Sequence, residues 1–448
     1  MEPFFEGLTG DLVTRDDPRY EAARQEFNRA VQKYPLAILY CNTEADAARA
    51  VLWCRSRCVE LRIRTGGHNY AGYSTGNNVL VIDLSRLKEV KLDDANKLVT
   101  VQGGATNGDV YGLLAPLGYP FAGGTCPTVG VSGLMSGGGW GLSCRKLGLT
   151  CDSLAQAEMI DYTGRTITAS EKSNPDLFWA LRGGGGGNFG IITNMTFRLP
   201  LKTGKVTYIQ LDSQNTSALQ QAVFWDAWQN WLPGLDKRMT LQAILYHSIE
   251  GGFAIFGRGI FYGTPEEALL LLKPFTRLTG LGVNLQYVTF SRAVELIGEI
   301  YPPFELFQTA SRFVYDEFTP EELIDTTTEI RNVPKGSVFN GIALYALGGE
   351  IAETEQETSF YYRKAKYIVA FSSQWEDPAL AESSNKWVQD IFDSLFCLTK
   401  GSFVNFPYSK LPDYLREYYG NNDNLLTRVK QRYDPKNVFN YPQSIPPV

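Results

Sequence analysis

Three glycine-rich segments between residues 65 and 190 restrict what this chain can fold into more than any other feature. The first, TGGHNYAG over residues 65–72, lies between two segments with the apolar alternation of short strands, residues 59–64 and 79–84. Paired glycines let backbone N–H groups turn towards an anionic ligand such as a pyrophosphate. Because a strand follows the loop, it is not the dinucleotide fingerprint of a Rossmann unit. The alternative is an ordinary glycine turn carrying a surface histidine, His68.

The second and third segments, residues 123–141 and 183–190, are attached to regular structure. The second interleaves glycines with side chains that favour burial, including Val131, Leu134 and Trp140. Such a segment packs backbone against something flat or highly polar, and a flexible surface loop is the alternative. The third segment follows a short predicted helix with Pro175 at its first position and leads into a strand.

Composition excludes several classes of function. The chain has 448 residues, which predicts two or three domains. Its net charge of −6, with no long basic run, argues against nucleic acid as a partner. No run of eighteen apolar residues occurs, and the N-terminal end lacks the apolar core of a signal peptide, so we expect no membrane span and a cytoplasmic location. Two histidines and seven scattered cysteines favour reduced thiols over a metal site.

The elements before residue 200 read as two compact α+β units. The first has an amphipathic helix over residues 17–33, a strand over 37–40 and a helix over 43–57, capped by Thr43 with Asp46 three residues on. The second has a strand over residues 98–103 and a helix over 106–117, followed by the second glycine segment.

The middle of the chain predicts a large antiparallel sheet backed by helices. Six strands are predicted, over residues 204–211, 239–247, 253–262, 284–290, 337–347 and 367–375. Four helices are predicted between them, over residues 215–231, 265–278, 320–331 and 379–396. Strand alternation sends half of the aromatic side chains to each face, so pattern alone does not assign them to core or cleft. For His247, a structural role is favoured over a place in the cleft.

Five motifs, in this order and spacing, together resemble the berberine-bridge-enzyme-like family of FAD-linked oxidases, which belongs to the vanillyl-alcohol-oxidase group. They are RTGGHNY, GGTCPTVGVSG, SGGGWG, NPDLFWALRGGGGGNFGI and RYDPKNVFNYPQSI. The resemblance implies an α+β fold with a two-part FAD-binding domain of the PCMH type over residues 1–200. A substrate domain over residues 201–400 and a C-terminal segment over 401–448, returning to the FAD-binding domain, would complete it.

The resemblance also implies how FAD is held. Gly66 and Gly67 would face the pyrophosphate, and His68 would bond the 8α-methyl carbon of the flavin. Cys126, in a Cys-Pro-x-x-Gly motif, would bond carbon 6, and two covalent links would raise the flavin potential. The full set of residues expected at the cofactor is Arg64, Thr65, Gly66, Gly67, His68, Asn69, Cys126, Pro127, Thr128, Val129, Gly130, Ser132, Gly133, Ser136, Gly137, Gly138, Gly141, Gly190, Ile192, Asn440 and Gln443.

The chain departs from the family near its C-terminus. Many members carry a Tyr-x-Asn-Tyr motif whose second tyrosine removes the substrate proton, and Phe406 stands at that position here. Three alternatives follow. Tyr408 would supply the phenol, since in an extended segment it shares a face with Phe406. Tyr70, in the His68 loop, would supply it instead. Or no strong base is needed, as when a neutral amine loses hydride directly.

The resemblance therefore predicts an FAD-linked oxidase of a sugar, an oligosaccharide or another secondary alcohol. Gly124, two residues before the expected flavin-linked cysteine, leaves the flavin face open and favours O2 as the acceptor, with hydrogen peroxide as product. An amine or alkaloid oxidase, a flavin carrier with decayed catalysis and a flavin-free carbohydrate-binding protein are the alternatives. The expected partners are the small-molecule substrate and O2, and the chain would be a monomer or a homodimer.

Overall fold

A four-stranded sheet near the N-terminus carries the loop that contains His68. The computed structural model describes residues 3–354 and 357–448. In the first sheet, with strand order β1-β2-β4-β3, β4 pairs in parallel with β2 and β3, and β1 runs antiparallel to β2. Its elements are β1 (Asp11–Thr14), α1 (Tyr20–Ala23), β2 (Ala37–Tyr40), α2 (Glu44–Arg57), β3 (Leu61–Arg64) and β4 (Leu80–Asp83).

The predicted helix over residues 17–33 is wrong, because only Tyr20–Ala23 is helical. The backbone that follows pairs with distant segments instead of with itself. Phe27 donates its N–H to the carbonyl of Gly67 at 2.9 Å, and Arg29 donates to the carbonyl of Glu305 at 2.7 Å. By contrast, the helix predicted over residues 43–57 forms as α2, with the expected capping box at its start.

A five-stranded antiparallel sheet follows, with strand order β5-β6-β9-β7-β8. Part of the second glycine segment forms a short helix, α4, which the sequence did not predict. The elements are β5 (Val90–Asp93), β6 (Leu98–Gln102), α3 (Asn107–Leu114), α4 (Val131–Ser136), α5 (Cys144–Leu147), β7 (Leu154–Ile160), β8 (Thr166–Ser170), α6 (Pro175–Leu181) and β9 (Ile191–Arg198).

The middle of the chain forms a seven-stranded antiparallel sheet with order β13-β10-β12-β11-β15-β16-β14. All six predicted strands form, and the α+β fold class is confirmed. The elements are β10 (Lys205–Gln214), α7 (Ala218–Trp231), β11 (Met239–Ser248), β12 (Gly252–Phe261), α8 (Pro265–Leu271), α9 (Lys273–Thr276), β13 (Gly282–Thr289), α10 (Phe290–Gly298), β14 (Phe307–Val314), α11 (Pro320–Glu329), β15 (Ser337–Ala346), α12 (Glu350–Glu353), β16 (Tyr367–Trp375) and α13 (Ala381–Phe396).

The sequence pattern did not predict the edge strand β14, because a charged residue interrupts its apolar alternation. Arg312 is 2% exposed, and its guanidinium donates to Thr399 and Ser402 and pairs with Glu417. The buried cation therefore finds its partners in the C-terminal part of the chain, which a strand pattern does not reveal. It also attaches residues 399–417 to the edge of the seven-stranded sheet.

One buried hydrophobic cluster runs from the five-stranded sheet into the seven-stranded sheet, so the two share a core. A separate cluster fills the space around α2 and the first sheet. Polar contacts cross the shared core as well. The indole of Trp140 donates to the carbonyl of Ala346 at 2.8 Å, and Arg145 donates to the carbonyl of Met239 at 2.8 Å. None of the described helices is long and apolar enough to cross a membrane.

The C-terminal helices α14 (Tyr414–Tyr419) and α15 (Asp423–Tyr433) return the chain to the third glycine segment. Lys430 on α15 is fully buried, as is its ion-pair partner Asp434 at 2.8 Å. Its ammonium also donates to the carbonyls of Asn188 and Phe439, both at 2.6 Å. All three N–H groups of the ammonium are thus used to join α15, the glycine segment and the C-terminal loop.

Replacing Lys430 should therefore destabilise the protein strongly. We expect Lys430→Ala to lower the free energy of unfolding by about 3 to 5 kcal/mol, because it leaves the Asp434 carboxylate buried without its cation. Urea denaturation followed by tryptophan fluorescence measures this loss. The exposed Lys436→Ala is the matched control and should change stability by less than about 0.5 kcal/mol. A similarly small loss in Lys430→Ala would contradict the assigned role.

Candidate active site

A cavity of about 540 Å³ lies between the His68 loop, the glycine segments and one face of the seven-stranded sheet. Its volume falls in the range of about 300 to 1,000 Å³ that is usual for cofactor and substrate sites. Most residues expected at the cofactor line it: Thr65, Gly66, Gly67, His68, Asn69, Cys126, Val129, Gly130, Ser132, Gly133, Ser136, Gly190, Ile192, Asn440 and Gln443. The cavity thus brings together segments from the start, middle and end of the chain.

The loop of His68 lies directly against the second glycine segment. A Cβ on Gly66 would come within 2.4 Å of the backbone nitrogen of Gly130, so only glycine permits this approach. Gly67 has a φ of +66°, in the left-handed region that glycine adopts without strain. Two backbones therefore run in contact at the wall of the cavity.

Two nucleophilic side chains converge on a single hydroxyl. The Oγ1 of Thr128 lies 2.7 Å from Nε2 of His68 and 3.4 Å from Sγ of Cys126. The imidazole also stacks on Phe27 with a centroid distance of 4.1 Å. Burial lowers the pKa of His68 to about 4, so its ring is neutral at ordinary pH. A neutral imidazole and a thiol, both facing one cavity, can each add to an electrophile placed there.

The loop also presents unused hydrogen-bond donors. Among the described residues, no acceptor takes the backbone N–H groups of Gly66, Gly67, His68 and Asn69. Successive free N–H groups in a glycine loop form a concave site for anions. The residues that line this part of the cavity therefore fit the pyrophosphate of FAD, which the resemblance predicted here.

Arg64 does not reach the cavity, although it was expected at the cofactor. Its guanidinium lies beneath the loop, 2.5 Å from Asp83 and 3.4 Å from Glu26. Ser74 donates to the same Glu26 carboxylate at 2.7 Å. Because all three charged side chains are buried, this cluster holds the loop to the first sheet and leaves no cation for a ligand.

Three glycines of the second segment also pack away from the cavity, contrary to expectation. A Cβ on Gly141 would lie 1.9 Å from the carbonyl oxygen of Gly123, and one on Gly137 would lie 2.1 Å from Oδ1 of Asn405. Gly138 has a φ of +102°. These positions need glycine for chain-to-chain contact. Pro127 and Thr128 lie outside the lining too, although Thr128 holds His68.

The third glycine segment supplies two lining residues that were not predicted, Gly186 and Gly187. The Oη of Tyr441 donates to the carbonyl of Gly186 at 3.0 Å and accepts from the amide of Asn188 at 2.8 Å. The run of five glycines was the signal, but nothing in it indicated which glycines face the ligand.

One face of the seven-stranded sheet forms the opposite wall. The lining residues alternate along each strand, as the period of a strand requires. They are Gln242 and Ile244 on β11, Arg258 on β12, Phe307 and Thr309 on β14, Phe339, Gly341, Ala343 and Tyr345 on β15, and Ala370, Ser372 and Gln374 on β16. Small side chains in the middle of this face leave room, and hydroxyls and amides surround them.

A polar network joins this wall to the second glycine segment. Arg258 donates to Oε1 of Gln242 at 3.2 Å and also to the phenol of Tyr301. The same phenol lies 2.5 Å from the hydroxyl of Thr125, next to Cys126. Arg258 is 3% exposed, so the residues that follow α10 are held firmly over the cavity.

Phe406 lies inside the cavity between two tyrosines. Its ring stacks on Tyr70 with a centroid distance of 5.4 Å and meets Tyr345 at 5.3 Å. Burial raises the pKa of the Tyr70 phenol well above its usual range, and it also raises that of Tyr345. Two protonated phenols therefore flank the position where the family carries a tyrosine.

Tyr408 is not brought to the cavity. The expectation assumed an extended segment, but the N–H of Phe406 bonds the carbonyl of Phe403 at 2.8 Å, which forms a turn. Tyr408 is consequently buried on the other side, where its phenol bonds Gln389 on α13 and its ring packs on Phe392 at 5.0 Å. His247 also stays outside the lining, packed against Phe253 at 4.7 Å.

Glu305 carries the one carboxyl group among the described residues that line the cavity, and sequence reasoning missed it. Burial raises the pKa of this carboxyl, and a hydrogen bond with the Gln374 side chain opposes part of the rise. No motif surrounds residue 305, so no signal in the sequence marked it. No group of side chains suited to a metal ion occurs in the described part of the chain.

Asn28 fastens three parts of the site together. Its amide donates to the carbonyl of Tyr70 at 2.9 Å and to the carbonyl of Phe307 at 3.0 Å. Its Oδ1 accepts from the N–H groups of Ala30 and Phe307. The side chain is 3% exposed, so these bonds link the N-terminal segment, the His68 loop and β14 away from water.

Comparisons with known proteins agree with the motifs. A family model described as "FAD binding domain" matches residues 35–170, and one described as "Berberine and berberine like" matches residues 402–446. The uncharacterized FAD-linked oxidoreductase YgaK of Bacillus subtilis (strain 168) is 35% identical over 98% of each chain. Berberine bridge enzyme-like 12 of Arabidopsis thaliana is 28% identical over 94% of this chain and 86% of its own.

A solved structure supports the same fold. The xylooligosaccharide oxidase from Myceliophthora thermophila C1, solved in complex with xylobiose, superposes with a TM-score of 0.88. The two sequences are 25% identical, and the match covers 98% of this chain and 97% of the other. The predicted PCMH-type architecture is thereby confirmed.

Removing the Asn28 side chain should loosen this junction. We expect Asn28→Ala to lower the free energy of unfolding by at least about 2 kcal/mol, because it leaves several buried backbone groups without partners. Chemical denaturation measures the loss. Asn230→Ala, on the exposed side of α7, is the control and should have little effect. Equal stability of the two variants would refute the role of Asn28.

Proposed function

The chain belongs to the berberine-bridge-enzyme-like family of FAD-linked oxidoreductases, and on that premise we propose which reaction it catalyses. It oxidises an alcohol group of a sugar, an oligosaccharide or another small secondary alcohol. When bound, FAD supplies an acceptor for a hydride from the substrate and a donor of the same electron pair to O2, with hydrogen peroxide as product. The cavity described above is the active site.

The wall formed by the seven-stranded sheet is the observation that carries the choice of an alcohol substrate. Gly341, Ala343 and Ala370 keep the middle of this wall shallow, so a ring can approach it. Ser372, Thr309 and Gln374 surround them with hydroxyl and amide groups. Such alternating small and polar side chains suit a polyhydroxylated ring, whose hydroxyls need partners when they leave water.

Residues of the His68 loop would hold FAD. The free N–H groups of Gly66, Gly67 and Asn69 suit its pyrophosphate. His68 and Cys126 would form the two covalent links to the flavin. The position of both side chains around the hydroxyl of Thr128 supports this assignment, as does the neutral state of the imidazole.

The environment of Gly124 supports O2 as the electron acceptor. Gly124 lines the cavity, and a Cβ there would lie 2.9 Å from Nδ2 of Asn107 and 3.3 Å from Leu134. Any side chain at this position would therefore require these neighbours to shift. Glycine keeps a path open beside the expected position of the flavin.

The phenylalanine at position 406 favours one other candidate function, the oxidation of an amine. A phenylalanine takes no proton, and burial raises the pKa of the Tyr70 phenol beside it. A neutral amine can lose a hydride to give an iminium ion without a phenolic base, whereas an alcohol needs a proton acceptor.

Anaerobic mixing of the purified enzyme with oligosaccharides, simple secondary alcohols and cyclic amines tests the proposal. We expect an alcohol or sugar to bleach the flavin absorbance, and subsequent admission of air to yield hydrogen peroxide. Bleaching by amines alone would favour amine oxidation. If no compound bleaches the flavin, the proposal of an active oxidase is refuted in favour of decayed catalysis.

The two covalent links make a separate prediction. We expect acid-denatured wild-type protein to stay yellow and to carry the mass of FAD. His68→Ala and Cys126→Ser should each retain FAD through the remaining link, and only the double variant should release it on denaturation. Absorbance and intact-protein mass measure this, with the exposed Cys397→Ser as control. Complete loss in His68→Ala alone would exclude a link to Cys126.

A further inference from the structure

We propose that Glu305 is the catalytic base that accepts the proton of the substrate hydroxyl. The inference rests on the proposed function, since it supplies the proton acceptor that alcohol oxidation needs. Phe406 occupies the position of the family's phenolic base, and the phenol of Tyr408 is bonded to Gln389 outside the cavity. A carboxylate inside the cavity is a chemically sufficient replacement.

The location of Glu305 supports this role first. Of the described residues that line the cavity, it alone carries a carboxyl group. Its charge lies close enough to raise the pKa of Tyr70 and of Tyr345, the two tyrosines that flank Phe406. Glu305 therefore faces the part of the cavity where the family's tyrosine would act.

The backbone around Glu305 is held rigidly against the cofactor side of the site. Its N–H donates to the carbonyl of Phe27 at 3.1 Å, and its carbonyl accepts from Arg29 at 2.7 Å. Phe27 in turn donates to Gly67 and stacks on the His68 ring. The position of the carboxyl is thus tied to the loop that carries His68, and not to a free surface loop.

Among the described residues, neither neighbouring arginine forms an ion pair with the Glu305 carboxyl. Arg29 on the adjoining segment stacks over Phe304 at 4.9 Å, and Arg258 on the sheet is used by Gln242 and Tyr301. The other titratable and polar groups beside it in the cavity are Tyr70, Tyr301, Tyr345, His68 and Gln374. Burial keeps the Tyr70 and Tyr345 phenols protonated and the His68 ring neutral at ordinary pH.

A carboxylate in such surroundings is a stronger base than one in water. Burial raises the pKa of Glu305, so its carboxylate accepts a proton more readily. In the reaction, the substrate gives its hydroxyl proton to the Glu305 carboxylate and its carbon-bound hydrogen, as hydride, to the FAD of the proposed function. The C=O bond forms, the substrate is oxidised by two electrons, and Glu305 ends as the neutral acid.

Glu305→Gln keeps the shape of the side chain and removes the base. In the holoenzyme, we expect the anaerobic rate of flavin reduction by the bleaching alcohol to fall about 10²- to 10⁴-fold, with FAD content unchanged. In wild type, the carboxyl is protonated at low pH, so the rate should rise as pH increases through its raised pKa and then level off. That rise should vanish in the variant. Glu299→Gln, an exposed glutamate at the end of α10, is the matched control.

Rescue separates loss of the base from a change in shape. For Glu305→Ala, added formate or acetate should raise the rate in proportion to its concentration, whereas chloride should not. A Glu305→Gln rate within about fivefold of an active wild type, or a retained pH profile, would overturn this inference alone. A wild type that no alcohol reduces would overturn the proposed function and this inference together.

Discussion

The contact between the backbones of Gly66 and Gly130 is the constraint on which the rest of the site depends. A Cβ on either glycine would lie less than 3 Å from an atom of the other loop, so the two loops can approach this closely only because both residues are glycine. This approach brings His68, from the loop between β3 and β4, and Cys126, from the loop between α3 and α4, to the same hydroxyl of Thr128. A methyl group on either glycine would force the two loops apart and so disturb the arrangement of His68 and Cys126 around Thr128.

A second layer of structure holds this contact in place without touching the ligand. Below the loop, Arg64 is buried with Asp83 and Glu26, a cluster that is costly to bury and is stable only while every member is paired. Beside it, the segment after α1 is unwound so that Phe27 can bond Gly67 and Asn28 can bond the backbone on both sides. In place of helical hydrogen bonds, this segment forms hydrogen bonds to distant parts of the chain.

The limits of prediction follow from the range of these interactions. Short-range patterns, such as the capping box of α2 and the alternation in the central strands, predicted most elements, because the forces that form them act within a few residues. The motifs predicted the lining at His68 and Cys126. The strand β14, the inward position of Glu305 and the outward turn of Tyr408 depend on partners far along the chain. Arg312 donates hydrogen bonds to residues of the C-terminal segment, and the backbone N–H of Glu305 donates to the carbonyl of Phe27. No local sequence pattern could reveal such long-range contacts.

Because Phe406 stands where many family members carry a tyrosine, the acidity of the remaining phenols and of the Glu305 carboxyl decides which group can accept a proton. A phenol with a pKa of about 10 is ionised to only about 0.1% at pH 7, and burial of Tyr70 and Tyr345 reduces that fraction further. A carboxyl group has an ordinary pKa of about 4.3, so it starts far more acidic than a phenol, and burial raises the pKa of both kinds of group in this cavity. Arg258 donates to the Tyr301 phenol and opposes part of the rise in the pKa of Tyr345, yet burial still keeps the Tyr345 and Tyr70 phenols protonated, which favours the carboxylate of Glu305 as the proton acceptor.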